Sequence, residues 1–239
     1  MSLPITDDTP DRLRAPLARV WGDQWLRVSE KILGGLNDEL EVRVAALEAE
    51  AQRAAKNGGV GRGDALADAR RLVHLAELYC CLPEEPSALA EPVQVAEMVA
   101  RALELHGYHA DLRAIPCMLV EPLRTQYVLV RPSALLRSML VLLASAAGHA
   151  GRAGGREPMR IGCTVDGEVV SVTLDSPSPT GDELFAGRGS LLTAVRSALG
   201  HARATVDATR RADDVGAAIR FEIRLPVLRE RSAELSLDD

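Results

Sequence analysis

The chain has almost no lysine: Lys31 and Lys56 are the only two, and arginine supplies the rest of the positive charge. Acidic residues outnumber basic ones, 34 to 28, for a net charge of −6. That balance lacks the clustered basic surface on which nucleic-acid binding depends. Metal-ligand spacing is missing as well. The cysteines (Cys80, Cys81, Cys117 and Cys163) contain no CxxC pair, and the histidines (His74, His106, His109, His149 and His201) are scattered, so no structural metal site is expected. No apolar run reaches membrane-spanning length; the longest, residues 139–147, is short. No segment has the layout of a signal peptide. The expectation is a cytoplasmic protein in a reducing compartment, with no membrane insertion and no nucleic-acid partner.

What is present is enough for a sizeable core: 239 residues, 47% of them hydrophobic, allow one large domain or two small ones. Thr9-Pro10 reads as a helix cap followed by proline at the first helical position. Beyond Pro16 the chain is free of proline to about Lys56. Leu33, Leu36, Leu40, Val44, Leu47, Ala51 and Ala54 recur at steps of three and four, which is a coiled-coil-like seam. The glycine-rich stretch 57–63 must break that helix. Asp64 can cap a second one, which carries a stripe of Leu66, Ala69, Val73, Ala76 and Cys80 and ends at Leu82-Pro83. A two-helix hairpin cannot cover its own apolar seam, so pairing with a second copy into a four-helix bundle is the expected solution.

The proline-rich stretch PEEPSALAEP, residues 83–92, reads as a linker. After it the pattern predicts a helix over 93–106, strands over 111–117 and 125–130, and an apolar helix over 132–150. Strands over 160–165 and 169–175 flank the turn Asp166-Gly167. A helix over 189–201 and strands over 204–208 and 217–225 close the chain. The expected architecture is α+β: a dimeric helical hairpin followed by a two-layer α/β sandwich. Its parts are an N-terminal, partly helical segment (1–24), the hairpin (25–82), the linker (83–92), the sandwich (93–227) and a C-terminal tail (228–239).

Several segments resemble the cytoplasmic core of sensor histidine kinases, in which a phosphoacceptor hairpin precedes an ATP-binding domain of the Bergerat (GHKL) type. RPSALLRSMLVLLASAAGHA, residues 131–150, is similar to the family helix D-P-x-x-L-x-x-V-L-x-N-L-x-x-N-A-x-x-H. The family's two asparagines fall on Val141 and Ser145; the second of them ligates the magnesium ion on the nucleotide phosphates. VSVTLDSPSPTG, residues 170–181, resembles the family's V-x-V-x-D-N-G-x-G-I, so the resemblance implies an adenine contact for Asp175. Pro177 and Ser178 replace the glycines that follow. In GRGSLLTAVRSALGHA, Gly189 matches a phosphate-loop glycine, and Leu191 replaces another. GAAIRFEIRLPV, residues 216–227, resembles the family's last strand.

In the first helix the family carries H-E-L-R-T-P-L or H-D-L-N-N-x-L. Here Asp38 falls on the phosphoacceptor histidine, within LNDEL. An aspartate cannot form the phosphoramidate that histidine forms. The retained residues are mostly core-building, and the lost ones mostly hold nucleotide. What the resemblance implies is a degenerate histidine kinase, a pseudokinase of two-component signalling that neither autophosphorylates nor needs a cofactor, residual Mg-ATP binding being the exception. Asp38 and the nucleotide-binding remnants Ser145, Asp175 and Gly189 are its candidate site residues. Asn37, Asp38 and Glu41 would form an interaction surface, and a homodimer would bind the receiver domain of a response regulator or a partner histidine kinase. Two alternatives stay open: an ATP-binding kinase or phosphotransferase with a non-standard acceptor such as His74, and a pure dimerisation scaffold.

Overall fold

The computed structural model describes residues 11–57, 62–83, 89–120, 126–152, 154, 157–177, 188–213 and 216–228. The proposed cap at Thr9-Pro10 and most of the glycine-rich break lie outside them. Two helices come first, α1 (Asp11–Asn57) and α2 (Arg62–Cys80). They are followed by β1 (Glu91–Gln94), α3 (Val95–His106), β2 (Cys117–Leu119), β3 (Tyr127–Val130) and α4 (Pro132–Arg152). The chain ends with β4 (Met159–Asp166), β5 (Val169–Pro177), α5 (Arg188–Leu199), a 3-10 turn at Gly200–Ala202, β6 (Thr205–Asp213) and β7 (Gly216–Pro226).

The main sheet has five strands in the order β2-β4-β5-β7-β6, with β2 parallel to β4 and the other pairs antiparallel. Strict alternation decides its two faces. On β5, Val170, Val172, Leu174 and Ser176 are buried, and on β7, Ile219, Phe221, Ile223 and Leu225 are buried. The residues between them, Asp175, Arg220, Glu222 and Arg224 included, form the opposite, polar face. Helices α3, α4 and α5 cover the apolar face. Among the described residues α4 alone is long and apolar enough to cross a membrane. However, 72% of that stretch is buried inside the fold, which is the behaviour of a core helix.

Helix α1 packs on α4 and α5 as well as on α2. Val28, Ile32 and Leu36 of α1 and Leu75, Leu78 and Leu82 of the α2 region belong to one continuous apolar core with the sandwich. Burying side chains such as Ile32 and Leu75 completely is worth roughly 1.5–3 kcal/mol each. The stripe read from the sequence of α2 is a different one. Leu66, Ala69, Val73, Ala76 and Cys80 lie on the opposite side of the helix, and all five are exposed. A 100° step per residue separates the two stripes by about half a turn, so α2 has two apolar faces and buries one.

Several boundaries differ from the sequence pattern; β6, expected over 204–208, runs from Thr205 to Asp213. Residues 93 and 94 are strand rather than helix, because β1 pairs antiparallel with β3 from Glu91↔Val130 to Gln94↔Tyr127. Glu91 and Pro92, expected in the linker, are thereby part of the sandwich; a residue before proline favours extended backbone. Residues 111–116 are turn rather than strand. Leu112 and Arg113 both donate backbone N–H groups to the His109 carbonyl, and Ile115 donates to Leu112. Pro116 ends that turn, and only Cys117–Leu119 joins the sheet.

Adjacent glycines in α1 give a direct test of how closely it is seated. A Cβ at Gly34 would meet nothing, whereas one at Gly35 would fall on the Tyr108 carbonyl. In urea melts, Gly34→Ala should stabilise the protein by up to about 1 kcal/mol, the ordinary helix-propensity gain. Gly35→Ala should destabilise it by about 1–3 kcal/mol, because backbone must move.

Candidate functional site

The alternation of β5 determines what α4 faces. Ser176 is fully buried on the apolar side, and its hydroxyl donates to the Ala146 carbonyl of α4 at 2.7 Å. Asp175, one residue earlier, is on the polar side. There Arg220 of β7 holds it with two parallel bonds, Nε to Oδ1 at 2.6 Å and Nη2 to Oδ2 at 2.5 Å. Both side chains are about a quarter exposed. The pair is directly cross-strand, and the row continues to Arg160 on one side and Thr209 on the other. The carboxylate holds the Arg220 guanidinium more firmly protonated than usual, chiefly through the hydrogen bond.

This geometry separates the expected nucleotide-binding remnants. Ser145 is half-buried on α4, next to Ala146, while Asp175 lies across the sheet from that helix. Gly189 lies in the first turn of α5. Ser178 and the rest of the segment between β5 and α5 are outside the described residues. Val141, on the family's first asparagine position, is a core side chain, and Leu191 packs partly buried against the same core. A magnesium nucleotide held between Ser145 and Asp175 does not fit, because the two side chains belong to opposite sides of the sheet. Sequence reasoning missed Ser176, although the alternation Val170, Val172, Leu174 already identifies it as the next inward residue.

On α1, Asn37, Asp38 and Glu41 are exposed. The neighbouring Glu39 is engaged instead: Arg43 bonds it at 2.8 Å and Asp68 of α2 at 3.0 Å, which ties the two helices together. No group of three or more His, Cys, Asp or Glu side chains among the described residues could hold a metal. His74 is held by carboxylates. Its Nε2 meets Glu104 of α3 at 2.5 Å, and its Nδ1 lies 3.6 Å from Glu77. His149 is buried with its ring against Arg152, 2.6 Å from Nδ1. His201 accepts the Arg131 backbone N–H at 3.0 Å, just before α4. None of the four cysteines forms a disulfide.

Among the described residues, two of the cavities are lined without Ser145, Asp175 or Gly189. One, of about 30 Å³, is wholly apolar and lies between α3, α4 and the sheet around Leu142, Val172 and Phe221. The other, of about 320 Å³, lies where Cys80, Cys81, Glu91, Arg101 and Ser133 meet.

No protein-family model and no curated protein matches the chain. Solved structures do. The Acinetobacter baumannii histidine kinase AdeS is 15% identical with a TM-score of 0.46, covering 80% of this chain and 98% of that one. The ATP-binding domain of PrrB from Mycobacterium tuberculosis is 18% identical with a TM-score of 0.44, over 59% of this chain and 98% of that one. The histidine kinase domain of the E. coli osmosensor EnvZ is 11% identical with a TM-score of 0.44, over 65% and 100%. All three fall below a TM-score of 0.5, so nothing about activity passes from them to this chain.

The two sides of β5 should respond differently to substitution. Ser176→Ala should cost about 1 kcal/mol, the net worth of a buried hydrogen bond. A double-mutant cycle on Asp175→Ala and Arg220→Ala should give a coupling of no more than about 1 kcal/mol, because the pair is partly solvated. Equilibrium unfolding of the four variants would measure both.

Proposed function

We propose that this chain is a degenerate histidine-kinase-like protein of two-component signalling, which dimerises and binds another signalling protein without ATP chemistry. The observation that carries the reading is the end of β5. Where the family's aspartate would reach the nucleotide between strand and helix, the inward residue is Ser176, bonded to α4, and Asp175 is committed to Arg220 on the other face. The loss of histidine at Asp38 agrees with this, since an exposed carboxylate needs a bound metal to carry a phosphoryl group, and no metal-holding group of side chains occurs among the described residues.

Dimerisation is supported by the second apolar face of α2. Leu66 is 54% exposed and Val73 61%, on a stripe continued by Ala69, Ala76 and Cys80. Val42 and Val44 of α1 are also exposed. Apolar stripes at helical spacing are buried most economically by an identical stripe, which gives a four-helix bundle around a two-fold axis. Asn37, Asp38 and Glu41, all exposed on α1, are the docking surface of this reading for a receiver domain or a partner kinase.

Thermal melting in a Mg-ATP series tests the first half of the proposal. A nucleotide present at 100 times its Kd would add about 2.7 kcal/mol of stability; the expected change is none. With radiolabelled ATP no label should appear on the protein, and label on His74 would favour the phosphotransferase alternative. Sedimentation should show a dimer that Val73→Asp converts to a folded monomer. A pull-down with receiver domains that fails for wild type would leave only the dimeric scaffold.

A further inference from the structure

The seat of α1 on the sandwich contains two buried imidazoles. His106 ends α3 and His109 lies in the turn after it; they are 3% and 5% exposed, with ring centroids 6.0 Å apart. Nε2 of His106 and Nδ1 of His109 are buried without a hydrogen-bond partner. Around them α1 meets the turn by backbone. Ala110 donates its N–H to the Lys31 carbonyl at 3.2 Å, and Gly35 lies against the Tyr108 carbonyl.

We propose that the His106–His109 pair makes this junction acid-labile, so that protonation releases α1 from the turn after α3 while the sheet stays folded. A neutral imidazole leaves one ring nitrogen without a proton to place, whereas an imidazolium must bury a second N–H, and Nε2 of His106 faces no protein acceptor. Burial, and then His109, push the pKa of His106 down to about 4. Burial also lowers His109, against a smaller upward pull from Asp111 and with a downward push from Lys31. Because the folded pKa is depressed, the open form binds more protons below the ordinary value of 6.5. The junction is therefore strongest above that pH and weakens as pH falls from 6.5 toward 4.

The charged groups facing the pair from the elements packed on it are few. Lys31 of α1 pairs with Asp111 of the turn at 2.9 Å. On the α2 side Arg71 meets Glu104 and the Tyr108 hydroxyl, and His74 meets Glu104. His74 joins α2 to α3 rather than α1 to the turn, so it serves as a control outside the buried pair.

Hydrogen exchange of the full-length protein, corrected for the intrinsic pH dependence, reads the opening directly. Proton uptake by His106 alone raises the opening constant about 20-fold between pH 7 and pH 5. Residues 28–36 and 107–112 should lose that much protection, while β4, β5 and β7 keep theirs. His106→Gln should flatten the dependence, and His74→Gln should leave it intact. Unchanged protection at pH 5 in the wild type, parallel loss across the whole sheet, or an undiminished slope in His106→Gln would each overturn the proposal. The wild-type measurement decides even where the variant does not fold.

Discussion

The hydrogen bond between the Ser176 hydroxyl and the Ala146 carbonyl sets the relation between the main sheet and its central helix. It is made at full burial, so neither partner has water as a competitor. It closes, at the strand's end, an inward row that the buried aliphatic residues set with a period of two. With Ser176 inward, Leu174, Val172 and Val170 fill the core, and Asp175 has to face the opposite way. A one-residue slip would turn all of them over, exposing three aliphatic side chains and burying a carboxylate. The Asp175–Arg220 pair therefore adds little stability of its own. It shows which side of the sheet the aspartate occupies.

The same core explains why the helical pair and the sandwich are not independent. Ile32 and Leu36 from α1 and Leu75 and Leu78 from α2 share one apolar cluster with the helices on the sheet. Polar contacts frame it, from Arg43 with Asp68 to His74 with Glu104. A hinge between hairpin and sandwich would have to expose that cluster. The glycine at position 35 lets the backbones touch, which makes the seat close and its residue choice narrow.

Much of this was legible in the residues. The long helices, the hairpin over Asp166-Gly167 and the final strand pair follow from periodicity and turn chemistry, with ends close to those expected except at β6, which runs five residues further to Asp213. What failed was set by distant partners. Val93 and Gln94 continue a helical pattern locally, yet β3 claims their backbone. The stripe from Leu66 to Cys80 is as apolar as the face carrying Leu75 and Leu78, and nothing local says which face the molecule buries. The buried His106–His109 pair was invisible for the same reason, since the segment that covers it lies some 70 residues earlier in the chain. At Asp175 the motif spacing pointed to one residue, and the strand's alternation pointed to the next.

Amide NMR during a Mg-ATP titration is the most direct check on the closed end of β5. The account predicts that the resonances of Ser145, Ala146, Asp175, Ser176 and Gly189 stay in place up to millimolar nucleotide. Saturable shifts that cluster on those residues and reach a plateau would contradict it, because they would mean that strand and helix part to admit the nucleotide.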